Sequence, residues 1–197
     1  LQLLMLLHQK LAGKNLILAS QSPRRQELLK ELGLKFEIRI THEVDESYPE
    51  NLHYLEIPIY LSQKKAKPIV SSLSPNDVLI TSDTIVWINN HVLGKPTNAD
   101  DAKRMLAELS GRLHVVVTGV TLITTEKSKS FSAQTNVYLR NLSSEEIDYY
   151  VNTFAPFDKA GAYGVQEWIG YVAVERIEGS YFNVMGLPVQ KLYAELD

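Results

Sequence analysis

The sequence predicts an α/β fold, a mixed sheet flanked by helices. Three observations carry it. Residues 15–19 and 78–81 are short apolar runs of strand length with no polar alternation, as in strands buried on both faces. Helix start and stop signals recur between the strand-like runs, and the later chain carries hairpin signals at Asn89-Asn90 and at residues 178–180. An α/β beginning with a hairpin-rich continuation favours a mixed sheet over an all-parallel one.

The elements follow in order. Residues 15–19 form a strand, and residues 20–22 a polar turn. Residues 23–32 form a helix with Pro23 at its first position and Gly33 at its stop. Residues 35–41 alternate, with Phe36, Ile38 and Ile40 on one side, which predicts a strand with one buried face. Residues 42–54 are a polar loop. A helix runs from about Pro58 to Val70, and Lys64, Lys65 and Lys67 cluster near its end. The strand at residues 78–81 ends at Ser82, Asp83 and Thr84, and residues 85–88 and 91–93 flank Asn89-Asn90 as a tight hairpin. Residues 97–100 resemble a capping box opening a helix to Leu109. Residues 113–124 and 131–139 are strands joined by a charged turn. Residues 143–146 are a second capping box, with a helix to about Asn152. Residues 158–166 are glycine-rich and irregular. Residues 171–177 and 181–185 read as a hairpin around 178–180, and a last helix follows Pro188.

The 197 residues, 45% hydrophobic and 22% charged, fit a single domain over 1–197 with a sizeable core. Residues 1–14 read as an N-terminal extension, a short amphipathic helix or a frayed end. Their apolar run is too short to span a bilayer, and their basic residues follow it where a signal peptide would place them first. The net charge of −3 gives no global pull toward nucleic acid or an anionic membrane, so any polyanion must meet a local basic cluster. With no cysteine there are no disulfides, thiol nucleophiles or cysteine metal sites, which is compatible with a reducing cytoplasm.

The strand-to-helix turn within LILASQSPRRQELL, residues 16–29, is the first candidate site. A helix N-terminus presents unpaired N–H groups and partial positive charge, so Arg24 and Arg25 in its first turn are locally unfavourable. Hydroxyls, N–H groups and two guanidiniums at one turn suit a phosphate chain, although both arginines could equally lie on the surface and pair with carboxylates such as Glu27. Asp83, read at a strand end, can hold a divalent cation or take a proton from water; a turn cap is the plainer role. Glu43, Asp45 and Glu46 form a carboxylate loop that is either solvated or metal-binding. Lys65, Lys67 and Lys95 are further candidates for phosphate, Lys95 within a restricted Gly-Lys-Pro. Gln166 carries both a donor and an acceptor and can read a base edge; the alternative for residues 158–166 is a tight connection between sheet elements. The histidines at 8, 42, 53, 91 and 114 lack metal spacing, and neither a nucleophile elbow nor a GxxxxGK[ST] loop occurs.

Together these pieces resemble the Maf family of nucleoside triphosphate pyrophosphatases, from about residue 15 to 193. The resemblance rests on LILASQSPRRQELL, VDES at 44–47, KKA at 64–66, SDTIV at 82–86, GKP at 94–96, LSGRLH at 109–114, DKAGAYGVQ at 158–166 and NVMGLP at 183–188. It implies a Maf/ITPase-like, strongly twisted sheet with its active-site cleft at strand ends. It implies metal-dependent hydrolysis of a nucleoside triphosphate between the α and β phosphates, with a divalent cation, Mg²⁺ or Mn²⁺. Carried over by position, Asp83 corresponds to the proton acceptor. Arg24, Thr84 and Gln166 fall at positions linked to substrate choice. Ser20, Arg25, Glu46, Lys65 and Lys95 match the polar lining, with Glu46 and Asp83 as metal ligands. KAGAYGVQ resembles the branch acting on dTTP and UTP. Glu167-Trp168 departs from the pattern, since the family more often has glycine directly after the glutamine.

The resemblance therefore implies a cytoplasmic enzyme that clears pyrimidine nucleotides, modified ones included. It implies neither a nucleic-acid nor a membrane partner, and a homodimer is left open. Two alternatives stand beside it. One is a non-catalytic nucleotide-binding regulator of cell division. The other is a pyrophosphatase preferring 7-methyl-GTP or CTP.

Overall fold

The first strand, β1 (Asn15–Leu18), is apolar and its Leu16, Ile17 and Leu18 are buried. Burying side chains of this size stabilises by roughly 1.5–3 kcal/mol each, enough to seed a sheet. The computed structural model describes residues 6–40 and 44–197. Thr41, His42 and Glu43 lie outside the described residues, as does the start of the N-terminal extension.

Beside β1 run β2 (Phe36–Ile38) and β3 (Asp77–Ile88), both parallel to it. The hairpin strand β4 (His91–Leu93) pairs antiparallel with β3. With β5 (Leu113–Ile123), β6 (Ser128–Leu139) and β7 (Val174–Glu178), the sheet has the order β2-β1-β3-β5-β6-β7, with β4 off this path on β3. Parallel pairs on one side and antiparallel β6–β7 on the other make the sheet mixed, as expected from the sequence. The helices are α1 (Leu7–Lys10), α2 (Pro23–Glu31), α3 (Ile57–Val70), α4 (Ala99–Leu109), α5 (Ser144–Phe154), α6 (Trp168–Ala173), α7 (Tyr181–Val184) and α8 (Val189–Leu196).

Local chemistry explains most boundaries. Asn89 and Asn90 both take positive φ, 50° and 62°, the backbone that a two-residue β3–β4 turn requires. Ser143 and Glu146 close a reciprocal capping box at the start of α5. Four expectations need correcting. The cap of α4 is Asn98, whose side chain accepts from the Asp101 amide at 2.9 Å, while Asp101 reaches back to Thr97, so the box sits one residue later. β2 is shorter than residues 35–41, and Ile38 and Ile40 are exposed, because β2 ends the sheet order. Residues 171–173 finish α6 and residues 181–184 are α7, so no hairpin surrounds residues 178–180. There Ser180 caps a helix by accepting from the Asn183 amide. Finally, β3 runs unbroken through Asp83, so residues 82–84 do not end a strand.

The chain gathers into two compact units. Unit 1 comprises the described residues up to Asp83, with residues 118–133 and 186–197. Its core joins Ile17, Leu79, Ala66 and Ile69, so α3 lies on β1 and β3. Buried hydroxyls fix α3 further. Thr81 donates to the Ser62 carbonyl at 2.7 Å, and the Ser62 and Thr121 hydroxyls share a hydrogen bond of 2.7 Å. At Gly119 a Cβ would fall 2.3 Å from the backbone of Pro58 and Ile59, so only glycine lets β5 meet the start of α3 this closely. Within the extension, α1 buries Leu7, its amide donates to the Tyr193 hydroxyl of α8, and Lys10 pairs with Asp197.

Unit 2 comprises residues 84–117 and 134–185. Its core packs α4 and α5, through Leu106, Leu109, Ile147, Tyr150 and Val151, with Val116, Val137 and Ile169. Arg140 holds the start of α5, making two hydrogen bonds to Glu146 at 2.7 and 3.0 Å. Among the described residues, no helix is long and apolar enough to cross a membrane.

Candidate active site

In unit 1 the expected phosphate turn is built as a strand-to-helix junction. Ser22 is the N-cap of α2 and Pro23 its first residue, as the sequence predicts. The Ser22 side chain makes no capping hydrogen bond. The hydrogen bonding goes elsewhere: Ser20 Oγ accepts from the Ser22 amide at 3.2 Å, and Gln26 donates to the Ser20 carbonyl at 3.0 Å. Buried Ser20 thus shapes the turn, and the amides of the first turn of α2 keep the anion-binding character of a helix start.

Arg25 is directed by two main-chain carbonyls. Its Nε donates to Gly186 at 2.8 Å and one terminal nitrogen to Ser82 at 3.2 Å. That links α2 to β3 and to the NVMGLP segment, and sets the guanidinium near Asp83. Burial draws the Arg25 guanidinium below its ordinary value, the Asp83 and Glu46 carboxylates work against that, and neighbouring Arg24 adds to it.

Asp83 itself is buried in mid-strand. Here the strand-end expectation misread polarity. Thr81, Ser82 and Asp83 are polar yet buried, and a buried polar run in a strand persists when its groups find partners. Asp83 finds Lys65 on α3, in a short ion pair. Lys65 also lies 3.0 Å from Glu46. The next lysine, Lys64, pairs with Asp45 at 2.7 Å and donates to the Ser47 carbonyl at 3.0 Å. Consecutive carboxylates of the loop therefore meet consecutive lysines of α3. The Lys64 hydrogen bond, helped by Ser47, pulls the Asp45 carboxyl down to about 2. Lys67 is exposed. Glu43 lies outside the described residues.

One ammonium shared by two carboxylates tests the fit of a metal. Glu46 and Asp83 are hard oxygen donors converging on a cation, and the Lys65 ammonium stands where positive charge is wanted. No group of three or more His, Cys, Asp or Glu suited to a metal occurs among the described residues. Magnesium characteristically takes one or two carboxylates and completes its shell with water and substrate phosphates, so two carboxylates fit.

In unit 2, Thr84 continues β3 and Lys95 is exposed after β4. The carbonyl of Gly94, beside Lys95, accepts from the Gly161 amide at 3.0 Å, so the Gly-Lys-Pro segment and the glycine-rich loop are one assembly. Gly161 and Ala162 both take positive φ, 69° and 59°, which winds the loop through a single 3-10 turn. Gln166 follows. Its Oε1 is buried and has no hydrogen-bond partner among the described residues. A buried carbonyl oxygen without a partner costs free energy and is satisfied when a donor arrives.

The family described as Maf-like protein matches residues 15–197. The chain belongs to the Maf family. A dTTP/UTP pyrophosphatase of Phocaeicola vulgatus is 52% identical over 188 residues, 95% of this chain and 97% of the relative. One of Bacteroides thetaiotaomicron is 55% identical over 181 residues, 92% of this chain and 94% of the relative. Among solved structures, a HAM1 protein from Coxiella burnetii is similar at 15% identity with a TM-score of 0.49, covering 93% of this chain and 98% of that one.

Sequence reasoning on this Maf chain missed Tyr150. It lies on the apolar face of α5 with Ile147 and Val151, and a buried phenol there must find a polar partner. It also left unpaired what the structure pairs: Lys159 with Glu167, and His114 with the Tyr163 hydroxyl at 2.7 Å. Spacing alone does not bring these groups together; the loop conformation does.

Proposed function

We propose that this chain is a metal-dependent nucleoside triphosphate pyrophosphatase that cleaves dTTP and UTP to the monophosphate and pyrophosphate. The observation that carries the reading is the convergence of Glu46 and Asp83 on Lys65, with the Arg25 guanidinium near Asp83. Hydrolysis of a phosphoanhydride needs positioned cations and an oriented water. Arg24, Arg25, Lys65 and Lys95 neutralise the triphosphate, and the Ser20 hydroxyl with the first amides of α2 donates to phosphate oxygens. Asp83 orients and deprotonates the attacking water. Glu46 and Asp83 would hold Mg²⁺ or Mn²⁺, which supplies charge neutralisation on the phosphates. Residues 15–197 act as one catalytic domain working in the cytoplasm.

Base choice falls to Thr84 and Gln166, with Arg24. The Gln166 Oε1 is an acceptor, and the imide N–H of thymine and uracil is a donor, whereas the corresponding ring nitrogen of cytosine is an acceptor. That chemistry supports dTTP and UTP over CTP, and the names of the similar Phocaeicola and Bacteroides proteins support it as well.

The test is a substrate panel of dTTP, UTP, CTP and 7-methyl-GTP with Mg²⁺ or Mn²⁺, with products identified. Pyrophosphate and monophosphate from dTTP and UTP, abolished by a chelator, are expected. Orthophosphate as the first product would refute the α–β cleavage. Binding of the triphosphate without turnover would favour the regulator reading instead.

A further inference from the structure

The loop before Gln166 is closed by three side chains to which the proposed reaction gives no role. Glu167 accepts a short hydrogen bond from the Tyr150 hydroxyl, and its other carboxylate oxygen lies 3.0 Å from Lys159 Nζ. The Tyr150 hydroxyl in turn accepts from the Gly164 amide at 3.0 Å. Lys159 also pairs with Asp158 at 2.8 Å. The loop backbone adds its own closure, since the Glu167 amide donates to the Gly164 carbonyl at 3.0 Å. Tyr150 is fully buried and Lys159 nearly so, with its side chain 10% exposed.

Two glycines show how tightly the strand of chain leading to Gln166 is held. A Cβ at Gly164 would lie 2.9 Å from the Glu167 carboxyl carbon and 3.0 Å from Lys159 Cε. A Cβ at Gly170 would lie 1.7 Å from the Val165 carbonyl oxygen. Residues 164 and 165 are thus pressed between the ion pair on one side and α6 on the other. Burial, with the Glu167 hydrogen bond, holds the Tyr150 phenol above its ordinary value, so it stays a donor. A nearly buried ion pair is expensive to desolvate, and its best-attested use is to fix one arrangement against others.

We propose that Glu167, held by Tyr150 and Lys159, is a positioning residue that fixes the Gln166 amide for reading the base. Without the Glu167 carboxylate the loop would be left to its backbone bonds. The inference rests on the reading of Gln166 as the base-contacting residue.

The experiment compares Glu167→Gln, Tyr150→Phe and Gln166→Leu with the unaltered protein. Each is assayed for kcat and KM on dTTP and CTP, with a thermal melt as the measure of folding. Glu167→Gln keeps the shape and loses the ion pair; Tyr150→Phe loses the bridging hydroxyl. Both are expected to raise KM for dTTP about 10-fold with kcat within about twofold, and to narrow the dTTP-over-CTP preference by a similar factor. Gln166→Leu is expected to abolish the preference. If Gln166→Leu leaves the preference intact, the reading of Gln166 fails and the proposal with it. If Gln166→Leu removes the preference while Glu167→Gln and Tyr150→Phe keep it, the proposal alone is overturned. Loss of folding in both loop variants would likewise overturn it, assigning the trio to stability.

Discussion

The two units organise charge in opposite ways. In unit 1 the charged groups come from separate elements: Arg25 from α2, Glu46 from a loop, Lys65 from α3 and Asp83 from β3. In unit 2 the loop at residues 158–167 closes on itself, through Lys159, Glu167 and a tyrosine rising from α5. The first arrangement sets one ammonium between two carboxylates of different elements. The second fixes backbone. Phosphates, alike in every nucleotide, need only charge at the right distance; a base edge needs an acceptor at a set angle.

The largest expected effect breaks the charged cluster of unit 1. Asp83→Asn should lower the rate of pyrophosphate release from dTTP by about 10³-fold, within the range for loss of a general base, with KM little changed. A rate near that of the unaltered protein would remove Asp83 from its assigned role. Next come the glycines, which measure how closely each unit is packed. Gly119→Ala in unit 1 and Gly170→Ala in unit 2 each drive a Cβ into backbone, and each should cost about 2–3 kcal/mol in urea unfolding. If Gly170→Ala also shifts base preference while Gly119→Ala does not, the contrast between the units is sharpened.

A pH experiment separates the units further. Burial pushes the His114 imidazole in unit 2 down to about 3, so it stays neutral in the fold while the unfolded chain takes up a proton below its ordinary value of 6.5. Stability should therefore fall as the pH drops from about 6.5 toward 3, by up to roughly 2–4 kcal/mol, and His114→Gln should flatten that slope. The smallest effect belongs to Glu146, pulled down to about 2 chiefly by its Arg140 hydrogen bonds, then by the Ser143 amide. A depressed carboxylate contributes stability above its ordinary value of 4.5 and loses it as the pH falls toward 2. The stability gap between the unaltered protein and Glu146→Gln should close over that window.

What the sequence made legible was local. The Asn89-Asn90 turn, the capping box at Ser143 and the Pro23 helix start each depend on a few adjacent residues, and each is where it was expected. Errors arose where polarity had a distant cause. Residues 82–84 read as a strand end because all three are polar, yet β3 runs on through them, with Asp83 paired to an ammonium on α3 and Thr81 before them bonded to a carbonyl of the same helix. Residues 181–185 read as the second arm of a hairpin because Glu178-Gly179-Ser180 reads as its turn, but the Ser180 hydroxyl caps a helix there instead. The Tyr150–Glu167 contact crosses 17 positions and a loop with positive φ at Gly161 and Ala162, and no periodicity encodes that path.

One feature of the chain path reaches beyond the site. Each unit is stitched from separate stretches of sequence, and unit 1 is completed only by residues 186–197. During synthesis, every stretch of unit 2 has been made by Met185, before the segment carrying the Gly186 carbonyl that accepts from Arg25. The Arg25 guanidinium of α2 therefore waits for a segment made after the whole of unit 2. A chain grown only to Met185 therefore carries every stretch of unit 2 and lacks a carbonyl that directs a guanidinium of unit 1.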